Sequence, residues 1–410
     1  MSNNQLLIDL KTKIKTAIRQ NSDLGFVSYS GCNHVCSEMM SIIEVAEDYE
    51  KKVDYRDAFD IYIMVLIEAV KLISHADTSS GAAGDVIYCC LDEIDKLCKT
   101  ADENNHKHFF DTIIKTVKNK AFKDWPDTGY CLLKSAVYFV YDQKQGQKIY
   151  EIFPILGTMY DGKDYPDKLF ITFKIIESLE GQIAAKKYLM DNIHVPEIRI
   201  LAIENALDDK NYPLAEMLCI EALKKEPRGY VNKSAPWAYY LERLYNETAN
   251  EEKLTEMVRF ILFHGDASYF KKLKELYLQQ EAWEQKRESL LQDLSKALMV
   301  HEYASLLANE GEVQKLLAVI KLYKSYIIYH GKQLIESFPD ETYKIYEEYI
   351  LEETKAATDR RKYKNVCEII KNLSETIEKT KALELIDRLS EMYQRRPAML
   401  EEFGRLKSKL

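Results

Sequence analysis

Between Gly181 and Pro227 the chain reads GQIAAKKYLMDNIHVPEIRILAIENALDDKNYPLAEMLCIEALKKEP, three amphipathic helical patterns separated by short breaks. Each apolar stripe is one-sided, so no helix of this stretch can bury itself alone. Helix, short turn, helix, with small residues at the crossing points, is the idiom of a stacked-helix array, in which neighbouring units cover one another.

The rest of the chain repeats that idiom. Helical periodicity places helices at 1–20, 38–51, 55–75, 84–101, 104–119 and 129–142. Ser37, Asp54 and either Asp127 or Thr128 are the expected N-caps. A stretch around Pro154 reads as a kinked helix followed by a loop. Beyond Asp167 the punctuation is regular, with helices at 167–179, 182–191, 196–208, 212–225, 235–247, 251–263, 267–279 and 282–296. The pairs 300–309 with 312–320, 323–337 with 340–356 and 360–373 with 377–394 follow, then 397–408. Pro196, Pro213 and Pro236 fall near helix starts, and Gly181 and Gly265 just past helix ends. Hairpins recur every roughly 30–38 residues, inside the range of helical repeats. No strand alternation is expected. The expectation is an all-α chain: an α-solenoid of stacked helical hairpins, a TPR-like right-handed superhelix. Residues 1–150 would form an N-terminal helical lobe, and 151–410 the repeat solenoid with a C-terminal basic cap.

Composition narrows the function classes. With 46% hydrophobic and 30% charged residues, and only 14 Gly and 9 Pro, the 410 residues can bury a core and favour helices with short links. A net charge of −9 argues against a large phosphate-binding surface. The most apolar run, Phe59–Ile73, is too short to span a bilayer and holds Glu68 and Lys71. The start, MSNNQLLIDLKTKIK, reads as an amphipathic helix rather than a signal peptide, so a cytoplasmic protein is expected. The eight cysteines have no disulfide spacing and are expected mostly as small buried hydrophobes.

Candidate chemistry is sparse. GCNHVC, with Cys32, His34 and Cys36 in an expected loop, is a metal half-site without a second half; His106 and His108 could add to it only if the fold brought them near. SSGAAGD, Ser79–Asp85, resembles a phosphate-cradling loop but lacks the GK[ST] ending and a preceding strand, so a flexible link is expected. The acidic pairs Asp208-Asp209, Glu251-Glu252, Glu347-Glu348 and Glu352-Glu353 read as solvated surface. Twenty-eight tyrosines suit helix seams and binding faces alike; Tyr323, Tyr326 and Tyr329 recur three apart, and Tyr239, Tyr240 and Tyr245 cluster. Trp237, Tyr240 and Arg243, three apart on one predicted helix, are the expected partner-binding hot spot. From Lys355 onward 14 Lys/Arg face 9 Asp/Glu, and Arg360, Arg361, Lys362, Lys364, Arg395 and Arg396 form a possible patch for an acidic partner.

DRRKYKNVCEIIKNL (Asp359–Leu373) followed by YQRRPAMLEEF (Tyr393–Phe403) resembles the C-terminal signature of bacterial SWIM zinc-finger proteins. The stretch VPEIRILAIENALDDKNYPLAEMLCIEAL, KKLKELY, and the N-terminal GFVSYS, YRDAFDIYIMVLIEAV and DTSSGAAGDV segments are similar to theirs at the level of pattern. The family's zinc module, C-x-C followed by C-x-H, lies N-terminal to such a region and does not occur in these 410 residues. The resemblance therefore implies the helical scaffold alone, either as part of a longer protein or as a version without the finger.

The expected function is a non-catalytic protein–protein interaction scaffold whose concave helical surface takes a protein partner. The alternative is a nucleic-acid-associated protein acting through the basic C-terminal patch or a missing SWIM finger. No catalytic constellation, cofactor or membrane association is expected, and the oligomeric state stays open.

Overall fold

The computed structural model describes residues 3–225 and 236–410. Met1, Ser2, the last two residues of the opening stretch (Glu226 and Pro227) and the first residue of the helix expected over 235–247 lie outside the described residues. The chain is all-α, and its contacts group into two compact units, 1–218 and 219–410, divided inside the helix Tyr212–Lys225. The sequence-based division at 150/151 falls within the first unit. There the hydrophobic core continues past residue 150 through Ile152, Phe153, Leu156, Ile171 and Ile175.

In the first unit the helix Tyr55–Leu72 is buried on nearly every side, from Ala58 and Phe59 to Val70 and Leu72, as a central helix must be. The helices Asn3–Gln20, Tyr29–Lys51, Ala82–Thr100 and Glu103–Thr116 pack against it. Phe59 and Phe109 stack at 3.9 Å between ring centres. The remaining elements of this unit include Pro126–Lys134, Pro166–Glu180, Gln182–Asp191 and Pro196–Asp208.

Three local expectations are corrected. The helix predicted from residue 38 starts at Tyr29 and is capped by Ser28, not Ser37. Cys32, Val35, Cys36 and Met39 form one continuous buried stripe, so the segment taken for a loop is helix. The helix expected over 129–142 begins at Pro126, with Trp125 at the cap position, and finishes as a 3-10 turn over Ser135–Phe139. A two-residue antiparallel ladder pairs Ser22–Asp23 with Phe26–Val27 across Leu24 (φ 48°) and Gly25 (φ 85°). Two central residues at positive φ make the tight hairpin turn whose twist suits such a ladder.

In the second unit the helices run Trp237–Glu247, Glu251–Phe263, Phe270–Gln279, Trp283–Ala297, Val300–Asn309, Val313–Leu322, Ile327–Ile335, Pro339–Ala356, Arg360–Thr376, Lys379–Met392 and Pro397–Lys407. Most pack chiefly on their sequence neighbours, several also on the next but one, and Pro397–Lys407 packs chiefly on Arg360–Thr376, which is hairpin stacking. One turn recurs as the hairpin link. A left-handed residue ends the helix, and the following N–H donates back to a carbonyl five residues earlier, as in a Schellman cap. It is built by Ala249 (Asn250 N to Tyr245 O, 2.9 Å), Glu281 (Ala282 N to Tyr277 O, 2.8 Å) and Gly311 (Glu312 N to Leu307 O, 2.9 Å). The first unit uses the same turn at Val53 and Lys210. Most of these positions lack the glycine that would announce them.

Polar bridges tie successive hairpins at a similar interval along the chain. Tyr239 donates to Asp266 27 residues on at 3.0 Å, and Arg259 reaches Asp293 34 on at 3.0 Å. Lys274 meets Glu310 36 on at 2.6 Å, and Tyr346 donates to Asn372 26 on at 2.5 Å.

Candidate interaction surfaces

The helix Tyr29–Lys51 separates the cysteine–histidine cluster. Cys32 and Cys36, one turn apart, are buried with their Sγ atoms 4.0 Å from each other, while His34 is exposed. Two residues of helix turn a side chain by about 200°, so His34 cannot join the two thiols. Burial, then the neighbouring Cys32, pushes the Cys36 thiol up to about 12, away from the thiolate that binds metal. His106 and His108 are engaged elsewhere: His106 with the carbonyl of Ala101 (3.0 Å) and the Tyr141 hydroxyl (3.1 Å), His108 with Asp60 (2.7 Å). Among the described residues no group of three or more His, Cys, Asp or Glu side chains could hold a metal ion.

Trp237, Tyr240 and Arg243 do not share one accessible face. Trp237 is 4% exposed and belongs to the core, Tyr240 is half-buried, and Arg243 is exposed with its Nε 2.8 Å from Glu247. Steps of three residues drift by about 60° each, so the first and last of the triad point about 120° apart. The neighbouring Tyr239 is held in a seam. Its ring lies 5.8 Å from Tyr269, and burial with the Asp266 hydrogen bond pushes its hydroxyl up to about 12.

The basic patch divides in two. Arg360 pairs with Glu401 (2.5 Å) and Glu402 (3.2 Å). Arg396 donates to the carbonyls of Thr354 and Ala357 at 2.9 Å each and lies over the Tyr393 ring. These two arginines join the start of helix Arg360–Thr376 and the end of helix Pro339–Ala356 to the last helix. Arg361, Lys362, Lys364 and Arg395 are exposed. Lys364 lines a cavity of about 340 Å³ with Lys371, Arg405 and Lys409, but Glu368 and Glu402 share that lining.

The acidic pairs largely serve as bridges. Glu348 and Glu352 both meet Lys324 (2.9 and 2.6 Å), Glu347 pairs with Arg388, and Asp209 pairs with Lys186 at 2.5 Å. The Lys324 bond, the largest influence on Glu348, holds that carboxyl below its usual value.

Besides the scattered Leu278, Met299 and Met392, the second unit exposes large apolar side chains around the tyrosine run at 323–329. Leu322 is 79% and Tyr329 69% exposed, and Tyr323 is exposed beside them, whereas Ile327 between them is core. Tyr329 borders a depression of about 290 Å³ with Ile328, Ile369 and Asn372. Glu368, Lys371 and Glu375 share that lining, and an exposed tyrosine at the edge of such a depression fits an anchor position of a protein interface. Sequence reasoning grouped the three tyrosines but omitted Leu322. The break at Tyr323, φ −127°, turns the chain so that Leu322 ends its helix in solvent.

In the first unit a larger depression, about 630 Å³, is lined by His106, Lys107, Phe110, Asp111, Tyr141 and Lys148 among others. Three of its charges are paired, Asp111 with Lys107 at 2.8 Å and with Lys148 at 3.4 Å, and Glu103 adds a further carboxylate to the lining. Nothing in the sequence pointed to it, because its walls come from helices joined only by the fold. Among the described residues no helix is long and apolar enough to cross a membrane.

No protein-family model matches the chain, and no curated protein matches it. Among solved structures it is similar to a circular tandem repeat protein with novel repeat topology and enhanced subunit contact surfaces. That likeness has 14% sequence identity, covers 100% of this chain and 97% of that one, and has a TM-score of 0.25.

Proposed function

We propose that the chain is a non-catalytic protein–protein interaction scaffold, the kind of task helical-repeat proteins perform. The observation that carries this reading is the surface of Leu322, Tyr323 and Tyr329, large apolar side chains left in solvent on hairpins fixed by polar bridges. Large apolar side chains left exposed close together in sequence are the kind of surface an interaction site uses. Rigid neighbours lower the ordering cost of binding there. The kinship with the helical region of SWIM zinc-finger proteins is proposed on the same footing. It rests on the sequence segments Asp359–Leu373 and Tyr393–Phe403, which resemble the C-terminal signature of that family. A cytoplasmic location belongs to the same proposal.

The test is retention of a protein partner by the full chain beside its Leu322→Ser/Tyr329→Ser double variant. Saturable retention by the native chain, weakened about tenfold or more in the variant, fits the loss of two interface anchors. Retention by neither, or turnover of a small molecule by the native chain, would defeat the reading.

A further inference from the structure

A separate groove in the first unit lies between the N-terminal turns of helices Ala82–Thr100 and Pro126–Lys134. Its volume is about 290 Å³, and its apolar walls include Ile73, Ile87 and Leu91. Two aromatic side chains stand open on it, Tyr88 at 72% and Trp125 at 38% exposure. The indole N–H of Trp125 donates to Ser74 Oγ at 3.1 Å, which fixes the ring. Gly81 and Gly84 keep one rim low: a Cβ on either would meet nothing within 4 Å.

The charge of this groove has one sign. Asp127 is the charged side chain of its lining, and no Lys or Arg among the described residues lines it. Asp85 sits in the first turn of its helix, three residues before Tyr88 on the same side, and is exposed. Each aspartate occupies the helix end where a phosphate would otherwise be favoured. The glycine-rich segment Ser79–Asp85 is thus set against an anion and in favour of a cation.

We propose that this groove receives an arginine side chain from an apolar segment of a partner protein. Its guanidinium stacks on Trp125 and Tyr88 and pairs with Asp127, while its alkyl stem lies on Ile73 and Leu91. Arginine matches because it carries a planar, weakly hydrated cation on an apolar stem and favours aromatic faces. The proposal rests on the reading of the chain as a protein-binding scaffold and names the chemistry of one contact.

The experiment uses the full chain and three blocked peptides, Ac-Ala-Leu-Xaa-Leu-Ala-amide with arginine, citrulline or glutamate at Xaa. The readout is the indole N–H resonance of Trp125, assigned by its loss in Trp125→Phe. The other two tryptophans, Trp237 and Trp283, are 4% and 7% exposed and serve as internal controls. The arginine peptide is expected to shift the Trp125 resonance saturably and to bind about tenfold tighter than the citrulline peptide, the scale of one cation–π contact with a carboxylate. Asp127→Asn, and separately Tyr88→Ala at an exposed position, each weaken it several-fold while the melting temperature holds. Equal binding of the citrulline peptide, no shift with any peptide, or occupation of the groove by a second copy of the chain overturns the proposal. A protein partner held equally by native and Asp127→Asn chains refutes this contact and leaves the scaffold reading standing. Failure of the native chain to hold any partner refutes the scaffold reading whatever the peptides do.

Discussion

The guanidinium of Arg396 donates to the carbonyl oxygens of Thr354 and Ala357, each at 2.9 Å. These carbonyls lie at the C-terminus of helix Pro339–Ala356, where the last turn lacks intrahelical donors and the helix dipole favours a cation. The adjacent Arg395 is exposed. Arg396→Ala should therefore cost about 1.5–3 kcal/mol, the range for hydrogen bonds from a charged group. Arg395→Ala should stay within about 0.5 kcal/mol, as a surface change does. Denaturant unfolding of the full chain, followed by a probe in the second unit, compares the two.

Gly331 lies in helix Ile327–Ile335 against Tyr346. A Cβ there would come within 2.6 Å of the Tyr346 hydroxyl and 3.1 Å of Thr376 Cγ2. Tyr346 is fully buried and hydrogen-bonded to Asn372, so its ring cannot swing aside. Alanine would gain about 1 kcal/mol of helix propensity. Overpacking costs about 1–3 kcal/mol and outweighs that gain here. Gly331→Ala should lower the midpoint of the second unit despite being the better helix former.

Val53 makes the opposite case. It holds φ 64° in the link after helix Tyr29–Lys51 and is 69% exposed. A β-branched residue in the left-handed region is strained by about 1–2 kcal/mol, and no burial offsets it. Glycine relieves the strain and adds unfolded-chain entropy of about 0.4–1 kcal/mol. Val53→Gly should raise stability by roughly 0.5–1 kcal/mol on that balance, read as a higher melting temperature.

Acid should destabilise each unit through a different group. His330 is buried and its Nδ1 has no hydrogen-bond partner, so burial holds its pKa below the ordinary 6.5. Where pH falls below that ordinary value, the unfolded chain binds a proton the folded chain does not, and stability drops. Burial pushes Glu68 up, but the hydrogen bond and charge of Lys71, with Lys11, outweigh it and leave the carboxyl below the ordinary 4.5. Its contribution is full above that value and is lost as pH falls through the folded pKa. Stability measured against pH should lose its upper limb in His330→Leu and its lower limb in Glu68→Gln.

Much of this fold could be read from residue spacing, because one-sided apolar stripes bounded by proline, glycine and capping residues specify helices locally. The helices Gln182–Asp191, Pro196–Asp208 and Tyr212–Lys225 lie where periodicity put them. The segment Tyr29–Ser37 was misread as loop because Ser37 looked like the helix cap, although Cys32, Val35, Cys36 and Met39 carry a stripe at helical spacing. The breaks holding Ala249 and Glu281 were placed, but their left-handed turns were not, because residues other than glycine adopt that conformation there. The candidate surfaces were less legible still. Whether Trp237 faces core and Leu322 faces solvent depends on how neighbouring hairpins cover each helix, and no single helix encodes that.

The central claim is that the chain binds protein through side chains its hairpins leave in solvent. Hydrogen exchange of the full chain, alone and saturated with a protein partner retained from cell extract, tests it most directly. The account predicts added protection over the segment containing Leu322, Tyr323 and Tyr329, absent when the Leu322→Ser/Tyr329→Ser chain is mixed with the same partner. No retained protein, or a retained partner that leaves exchange at 322–329 unchanged, would contradict it.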